Sequence, residues 1–324
     1  MLDANLRAGL TDFLGYFEDQ RCEGVEGVVR INSGKPGPVL GITACTHGNE
    51  PAGLVALRYL LEEREVAKGL LRGTLYLAVN NLAAAKRYLA ARTDDEAKKL
   101  RFVDINMNRL PDDMPALVGD QLPYELKRAQ ALLPIWRRFT VGLDLHSTTQ
   151  DVAPMIICKG SVLHRDLVRG FPISRVLTNI DVVQIGQPVF GFCGSEGSVP
   201  VFEIEAGSHE TPKAFQRAKL CVWCLLQNLG MVKGSAVRCI DEYEEYFIEA
   251  SLMVPDTSYR LARVFADFEF VRKGTPLAVS GSREIRAPFD GHAIFGSQSI
   301  EQLDEKQIRE ELLFLSLPVR RLPA

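Results

Sequence analysis

The residues best suited to chemistry lie in Thr46-His47-Gly48-Asn49-Glu50, at the end of the apolar run Val39-Leu40-Gly41-Ile42-Thr43-Ala44. A histidine and a carboxylate three residues apart, on a turn leaving a strand, supply two metal donors on one side of the chain. A second strand-like run, Val141-Gly142-Leu143-Asp144-Leu145, ends in His146. His47, Glu50 and His146 together make two imidazoles and one carboxylate. That is the ligand set of a catalytic zinc with one position left open, one Zn2+ per chain. Water in that position would have its pKa lowered toward neutrality. Gly48 is read as permitting a close backbone turn.

Water attacking a carbonyl also needs a group to carry its proton. Val201-Phe202-Glu203-Ile204-Glu205-Ala206-Gly207 sets two carboxylates in an apolar strand, where charges are rare without a reason. Alternation puts Glu203 and Glu205 on one face, so either can serve. Partial burial would raise the carboxyl pKa, which suits that role. A third element, Arg101-Phe102-Val103-Asp104-Ile105-Asn106-Met107-Asn108-Arg109, has an arginine at each end. One guanidinium beside a metal would polarise a scissile carbonyl. Another, beside an amide, would grip a substrate carboxylate.

The elements that must position these residues alternate over the first ~230 residues. Val28–Ile31, Val39–Ala44, Thr74–Val79, Val141–Leu145, Met155–Cys158 and Val199–Ile204 read as strands. Leu6–Phe17, Ala52–Val66, Tyr124–Arg138 and Pro212–Leu229 read as helices, and Arg92–Leu100 as a surface loop or frayed helix. Strands apolar on both faces imply a sheet covered by helices on each side, an α/β layered domain over 1–232. His47 and His146 both fall at carboxyl ends of strands, where such sheets place their sites. From 233 to 324 the pattern changes to short strands over Tyr243–Val254, Tyr259–Phe270, Pro276–Val279 and His292–Phe295. Turns at Pro255-Asp256, Lys273-Gly274, Ser280-Gly281 and Asp290-Gly291 separate them, and a small all-β C-terminal domain is expected.

Composition narrows the classes. The chain has 324 residues, 46 % hydrophobic and 24 % charged, with a formal net charge of -3. Nothing there favours nucleic acid or an anionic membrane as partner, and no apolar run approaches the ~20 residues of a membrane span. The start Met1-Leu2-Asp3-Ala4-Asn5 lacks a secretory pattern. Seven cysteines at irregular spacing fit reduced thiols in a cytoplasm. Cys221-x-x-Cys224 lies in the helical run Phe215–Leu229 and reads as core. His164, His209 and His292 read as surface positions, with pocket lining the lesser reading for His209.

These motifs, in this order, resemble the succinylglutamate desuccinylase/aspartoacylase family of zinc amidohydrolases, relatives of the zinc carboxypeptidases. The resemblance rests on Thr46-His47-Gly48-Asn49-Glu50, Met107-Asn108-Arg109, Asp144-Leu145-His146 and Glu205-Ala206-Gly207, with Leu122-Pro123-Tyr124-Glu125 and Arg128-Ala129-Gln130 in support. It implies a zinc-carboxypeptidase-like mixed sheet with helices on both faces, followed by a small β-domain. It also implies zinc on His47, Glu50 and His146, Arg101 polarising the carbonyl, and Asn108 with Arg109 binding the substrate carboxylate. Glu205 rather than Glu203 would be the catalytic base and acid, and Asp144 a support rather than a ligand. The implied activity is hydrolysis of the amide bond of a small N-acyl amino acid. A zinc carboxypeptidase and a non-catalytic binding protein on the same fold are the alternatives, and self-association into a homo-oligomer stays open.

Two positions depart from the family pattern. Asn106 stands where the family often has aspartate; its amide oxygen could orient a ligand histidine without adding charge. The segment Phe190-Gly191-Phe192-Cys193-Gly194-Ser195-Glu196-Gly197-Ser198 holds no arginine to grip a side-chain carboxylate. That puts acetylaspartate in question and suggests a flexible, differently lined pocket wall, with Lys159, Lys213 or Arg217 as stand-ins.

Overall fold

The computed structural model describes residues 2–323 except 64, 65, 67, 149–151, 195–198 and 297–310. Its centre is a mixed sheet of twelve strands. From one edge the strands run Val28–Asn32, Thr74–Val79, Val39–Ala44, Val141–Thr148, Val201–Ser208, Met155–Cys158, Arg175–Thr178 and Glu242–Leu252. The sheet continues through Leu313–Ser316, Gly291–Ile294 and Glu269–Val271, while Arg320–Pro323 also pairs with Glu242–Leu252. Val39–Ala44, Val141–Thr148 and Val201–Ser208 are mutually parallel, so their carboxyl ends open on one rim.

Side-chain alternation explains why this sheet is buried on both faces. Leu40, Ile42, Leu143, Leu145, Phe202 and Ile204 join one apolar cluster with the helices Ala4–Asp19, Pro51–Glu62 and Pro212–Asn228. Tyr76, Ala78, Met155, Ile157 and Val201 join another, with Leu126, Leu132 and Trp136 of the helix Tyr124–Trp136. A layered α/β architecture follows, as the sequence implies. Two strand glycines permit close packing: a Cβ on Gly41 would stand 2.1 Å from the Phe139 ring, and one on Gly142 2.9 Å from Val201.

Some boundaries differ from expectation. The strands starting at Val141 and Val201 run on to Thr148 and Ser208, so both extend through the site. The helix Leu82–Ala90 and the strand Arg175–Thr178 are additional, and Asp94–Lys98 is a single helical turn capped by Thr93. Tyr259–Phe270 is not one strand but two short pieces, Arg260–Leu261 and Glu269–Val271, separated by a turn with Phe268 at φ 64°. The C-terminal region has its own three-stranded sheet and apolar cluster around Phe265, Leu277 and Leu313. Cys221 and Cys224 are buried in the helix Pro212–Asn228 as core residues, and all seven cysteines are free. No helix among the described residues is long and apolar enough to cross a membrane.

Candidate active site

Strand register assembles the site before any side chain is considered. Thr43 pairs with Asp144, and Asp144 with Glu203, across three neighbouring strands. Two residues on, His146 pairs with Glu205. Both rows project from one face, so Asp144 and Glu203 lie one layer beneath His146 and Glu205.

The turn after Val39–Ala44 brings the remaining donors to this face. Cys45 takes φ 53°, and Thr46 donates to Asp144 Oδ2 at 2.8 Å while accepting from Asn80 Nδ2 at 2.8 Å. Gly48 lies against the helix Leu82–Ala90: a Cβ would stand 2.4 Å from the Ala84 carbonyl carbon, so close approach requires glycine here. Its N–H donates to the Arg101 carbonyl at 2.7 Å, joining this turn to the arginine loop. Pro51 opens the next helix, and Glu50, at the cap position, makes no capping bond with its side chain. The carboxylate turns instead to the histidines.

His47 Nδ1 lies 2.7 Å from Glu50 Oε1, and His146 Nδ1 lies 2.9 Å from Glu50 Oε2. All three residues are buried, and their donor atoms form a potential metal-holding group. The other ring nitrogens are held from behind: His47 Nε2 is 3.0 Å from Asn106 Oδ1, and His146 Nε2 is 3.0 Å from Asp144 Oδ2. Each imidazole thus has an acceptor fixing its far nitrogen and a near nitrogen aimed at a shared centre, the usual support of a metal-ligating histidine. A tetrahedral ion with bonds of about 2.0–2.2 Å needs ligand atoms roughly 3.3 Å apart, a few tenths of an ångström more than seen here. The donor set fits a divalent metal. Asp144, His146 and Glu203 form a second such group, but both Asp144 oxygens already accept hydroxyl protons, from Thr43 and Thr46.

Charges follow from this packing. Burial pushes His47 below the usual imidazole range, and Arg101 adds to that effect. For His146, burial works against the charge, but Asp144 and Glu50 overcome it and hold the ring well above the usual range. Glu50 shows the converse: burial opposes its charge, and the two histidines bring it well below the carboxylate range. Burial and then Glu50 push the Glu205 carboxyl up to about 8. Glu203 is pushed up to about 7 by burial, against the pull of His146.

The two strand carboxylates have different surroundings. Glu203 Oε1 accepts from Asn108 Nδ2 at 3.0 Å. Glu205 Oε2 is buried with no hydrogen-bond partner among the described residues. Such an atom costs free energy unless a ligand completes it. Arg101 reaches in from the opposite side, with Nη2 3.1 Å from His47 Nε2 and Nη1 3.7 Å from Glu50 Oε1. His47 Nε2 cannot donate to Asn106 and accept from Arg101 at once. Were Nδ1 to ligate a metal, the proton would sit on Nε2 and the bond to Asn106 would be the one kept.

Asn108 and Arg109 are placed differently from a free substrate anchor. Asn108 Oδ1 accepts from the Val189 N–H at 3.1 Å, and its amide nitrogen is held by Glu203. Arg109 Nε donates to Glu311 Oε2 at 3.0 Å. Of the stand-ins, Lys159 faces the Gly191 and Cys193 carbonyls, Arg217 donates to the Ala206 carbonyl, and Lys213 is exposed. Of the pocket wall expected to be flexible, Ser195–Ser198 lie outside the described residues, and Phe190 and Cys193 are buried.

Three residues take places around the site that the sequence did not assign to them. His209 is buried, not superficial: its Nδ1 is 2.9 Å from Ser147 Oγ, and burial lowers its pKa to about 4. The extra residue where His146/Glu205 gives way to Thr148/Ser208 carries the strand over to bring it there. Glu125 is a buried carboxylate accepting the Val103, Asp104 and Ile105 N–H groups and Asn81 Nδ2, so it shapes the loop between the two arginines. Arg128 clamps the Asn80, Val79 and Glu26 carbonyls. His164 is exposed as expected, whereas His292 is half-buried against Tyr246 and Phe270.

Comparison with known proteins agrees with this geometry. Residues 36–173 match the model of the succinylglutamate desuccinylase/aspartoacylase catalytic domain. That segment contains His47, Glu50, Arg101, Asn106, Arg109 and His146. No curated protein matches the chain in sequence. Among solved structures, succinylglutamate desuccinylase from Vibrio cholerae superposes with a TM-score of 0.68 at 14 % identity, covering 96 % of this chain and 98 % of that one. Murine aminoacylase 3 gives 0.59 at 20 % identity, covering 89 % and 97 %. The ectoine utilization protein EutE (DoeB) from Ruegeria pomeroyi gives 0.59 at 17 %, covering 90 % and 88 %. At these identities the structural likeness carries the fold, and the motif-bearing segment 36–173 is the part of the chain that is similar to the succinylglutamate desuccinylase/aspartoacylase catalytic domain.

Proposed function

We propose that this protein is a zinc-dependent hydrolase of the amide bond in small N-acyl amino acids. The observation that carries the reading is the unpartnered Glu205 Oε2 beside three convergent metal donors. His47, Glu50 and His146 would hold zinc, which when bound supplies a Lewis acid for the acyl carbonyl and lowers the pKa of water. Glu205 accepts a proton from the attacking water as the water oxygen bonds to the carbonyl carbon. It then delivers a proton to the departing nitrogen as the C–N bond breaks, leaving a carboxylic acid and an amine. Burial raises the Glu205 carboxyl above its ordinary range, which favours holding the proton it takes from water until the nitrogen departs. Arg101, half-exposed beside Glu50, would supply its guanidinium to the charge that develops on the carbonyl oxygen. Asn108 holds the loop in place through Glu203 and Val189, and Arg109 meets a substrate carboxylate only in exchange for Glu311.

The small-molecule substrate, and a cytoplasmic setting supported by seven free cysteines, belong to this reading. The test is a panel of N-acyl amino acids, succinyl and acetyl among them, incubated with the zinc-loaded protein while amine release is followed. Turnover that chelator abolishes and zinc restores is the expected result. A zinc-loaded protein that cleaves peptides and no member of the panel would move the assignment to a carboxypeptidase.

A further inference from the structure

The Arg109 guanidinium already holds a carboxylate that belongs to the chain itself. Its Nε donates to Glu311 Oε2 at 3.0 Å, and Nη2 lies 3.0 Å from the same oxygen. Nη1 turns back to the Asn108 carbonyl at 2.8 Å. The other oxygen of Glu311 accepts the Ile185 N–H. The Glu311 side chain is 0 % exposed and that of Arg109 20 %. Two elements around the pair hold it rigidly. Leu110 and Gln187 exchange backbone hydrogen bonds of 2.9 and 2.6 Å, and a Cβ on Gly186 would stand 2.9 Å from the Arg109 carbonyl. Fork, backbone N–H and rigid walls make a complete carboxylate receptor, and its occupant comes from the residue just before Leu312 and the strand Leu313–Ser316.

Charge decides the consequence. An arginine attracts a substrate carboxylate while its own charge is free, and Glu311 cancels that charge at contact distance. The neighbouring Glu203 is a carboxyl as well and adds no attraction. We infer that Glu311 is a specificity-determining residue acting through Arg109: by filling the guanidinium fork it makes the pocket indifferent to whether the leaving half of the substrate carries a carboxylate. N-acyl amino acids and their uncharged carboxamides, or comparable N-acyl amines, are then handled alike. This rests on the amide-hydrolase reading above.

The test uses one N-acetyl amino acid and its carboxamide, matched in acyl group and side chain, with the zinc-loaded full chain. The wild-type kcat/KM ratio of carboxylate to carboxamide is expected within about tenfold, and Glu311→Gln is expected to raise it more than tenfold through a lower KM for the carboxylate. A wild-type preference for the carboxylate above tenfold, or a folded Glu311→Gln protein with an unchanged ratio, overturns the assignment. Should Glu311→Gln fail to fold, the pair is removed together as Arg109→Met with Glu311→Met. Retained indifference supports the inference, and selective loss of the carboxylate substrate defeats it. Calorimetric binding of the matched pair reads the same preference without turnover. A protein that binds both alike and cleaves neither therefore keeps the Glu311 assignment and ends the hydrolase reading.

Discussion

At Glu205 a buried carboxylate oxygen has no partner among the described residues, whereas Glu203 accepts from Asn108. Glu205→Gln is expected to keep the fold and the metal and to lose about 10²–10⁴-fold in kcat, since only proton transfer is removed. Equal metal content with kcat within threefold of wild type would refute the role. The donors predict a second outcome. His146 is held protonated in the metal-free chain, and Glu205 and Glu203 are pushed up to about 8 and about 7. Zinc entry at pH 7 should therefore release more than one proton, read as the dependence of binding enthalpy on buffer ionisation; release of none would contradict these protonation states. His209 gives a pH dependence of stability with a definite sign. Its folded pKa, about 4, lies below the ordinary imidazole value, so the unfolded chain binds more protons between about pH 6.5 and 4. Stability falls on acidification through that window, by at most about 3 kcal/mol from this group, and His209→Gln should flatten that part of the denaturation profile. Parallel profiles for the two proteins would discount it. Of these residues, His47, His146 and Glu50 were legible as a candidate metal group because such donors at strand ends are uncommon. Glu203 and Glu205 were not separable by periodicity, which puts both on one face; the family resemblance favoured Glu205, and in the structure Asn108, arriving from a distant loop, occupies Glu203. His209 was misread because Gly-Ser-His-Glu looks like an exposed loop, and a register shift between strands has no sequence signature.

The elements matter here through the few contacts that hold their ends. The loop from Arg101 to Arg109 has little regular structure, and Glu125 supplies what a strand partner otherwise would by accepting three consecutive N–H groups. Glu125→Ala leaves those donors and Asn81 without their acceptor, and should cost about 2–4 kcal/mol of stability. It should also lower kcat, because Arg101 and Asn106 both sit on that loop. Denaturant unfolding alongside kinetics would check this, and a variant as stable and as fast as wild type would exclude the contact as the loop's anchor. The long elements were readable from their apolar periods: Val39–Ala44 and Thr74–Val79 coincide with expectation, and Pro212–Asn228 ends one residue earlier. The helix Leu82–Ala90 was not among the expected elements, although Leu82, Ala85 and Leu89 form a buried stripe along it. Gly48 approaches its backbone at Ala84. Arg175–Thr178 was not among the expected strands, and its place is fixed by neighbours on both sides.

Across the whole molecule, the central sheet does not stop where the sequence pattern changes. Residues 233 to 324 carry the turn-rich composition of a separate β unit, yet Glu242–Leu252 pairs in parallel with Arg175–Thr178 and antiparallel with both Leu313–Ser316 and Arg320–Pro323. Tyr246, Ile248, Ile294 and Phe314 belong to the same apolar cluster as Trp136 and Met155. Composition shows where short strands and turns begin, but not which edge an added strand will join, because that choice depends on an edge left open by another segment. The shared cluster means that residues 233–324 contribute to the core of the catalytic layer as well as to their own cluster around Phe265. A chain ending at residue 240 would leave Arg175–Thr178 as an unpaired edge, expose the Trp136 side of the core, and take Glu311 away from Arg109. Open strand edges and bare apolar surface favour aggregation. Such a truncation is therefore expected to be insoluble or to lack a cooperative melt, and the full chain to unfold in one transition as followed by near-UV circular dichroism and tryptophan fluorescence. A soluble 1–240 fragment melting cooperatively within about 5 °C of the full chain would show that the two regions are stable independently, a difference of no more than about 2 kcal/mol by the usual scaling of melting temperature.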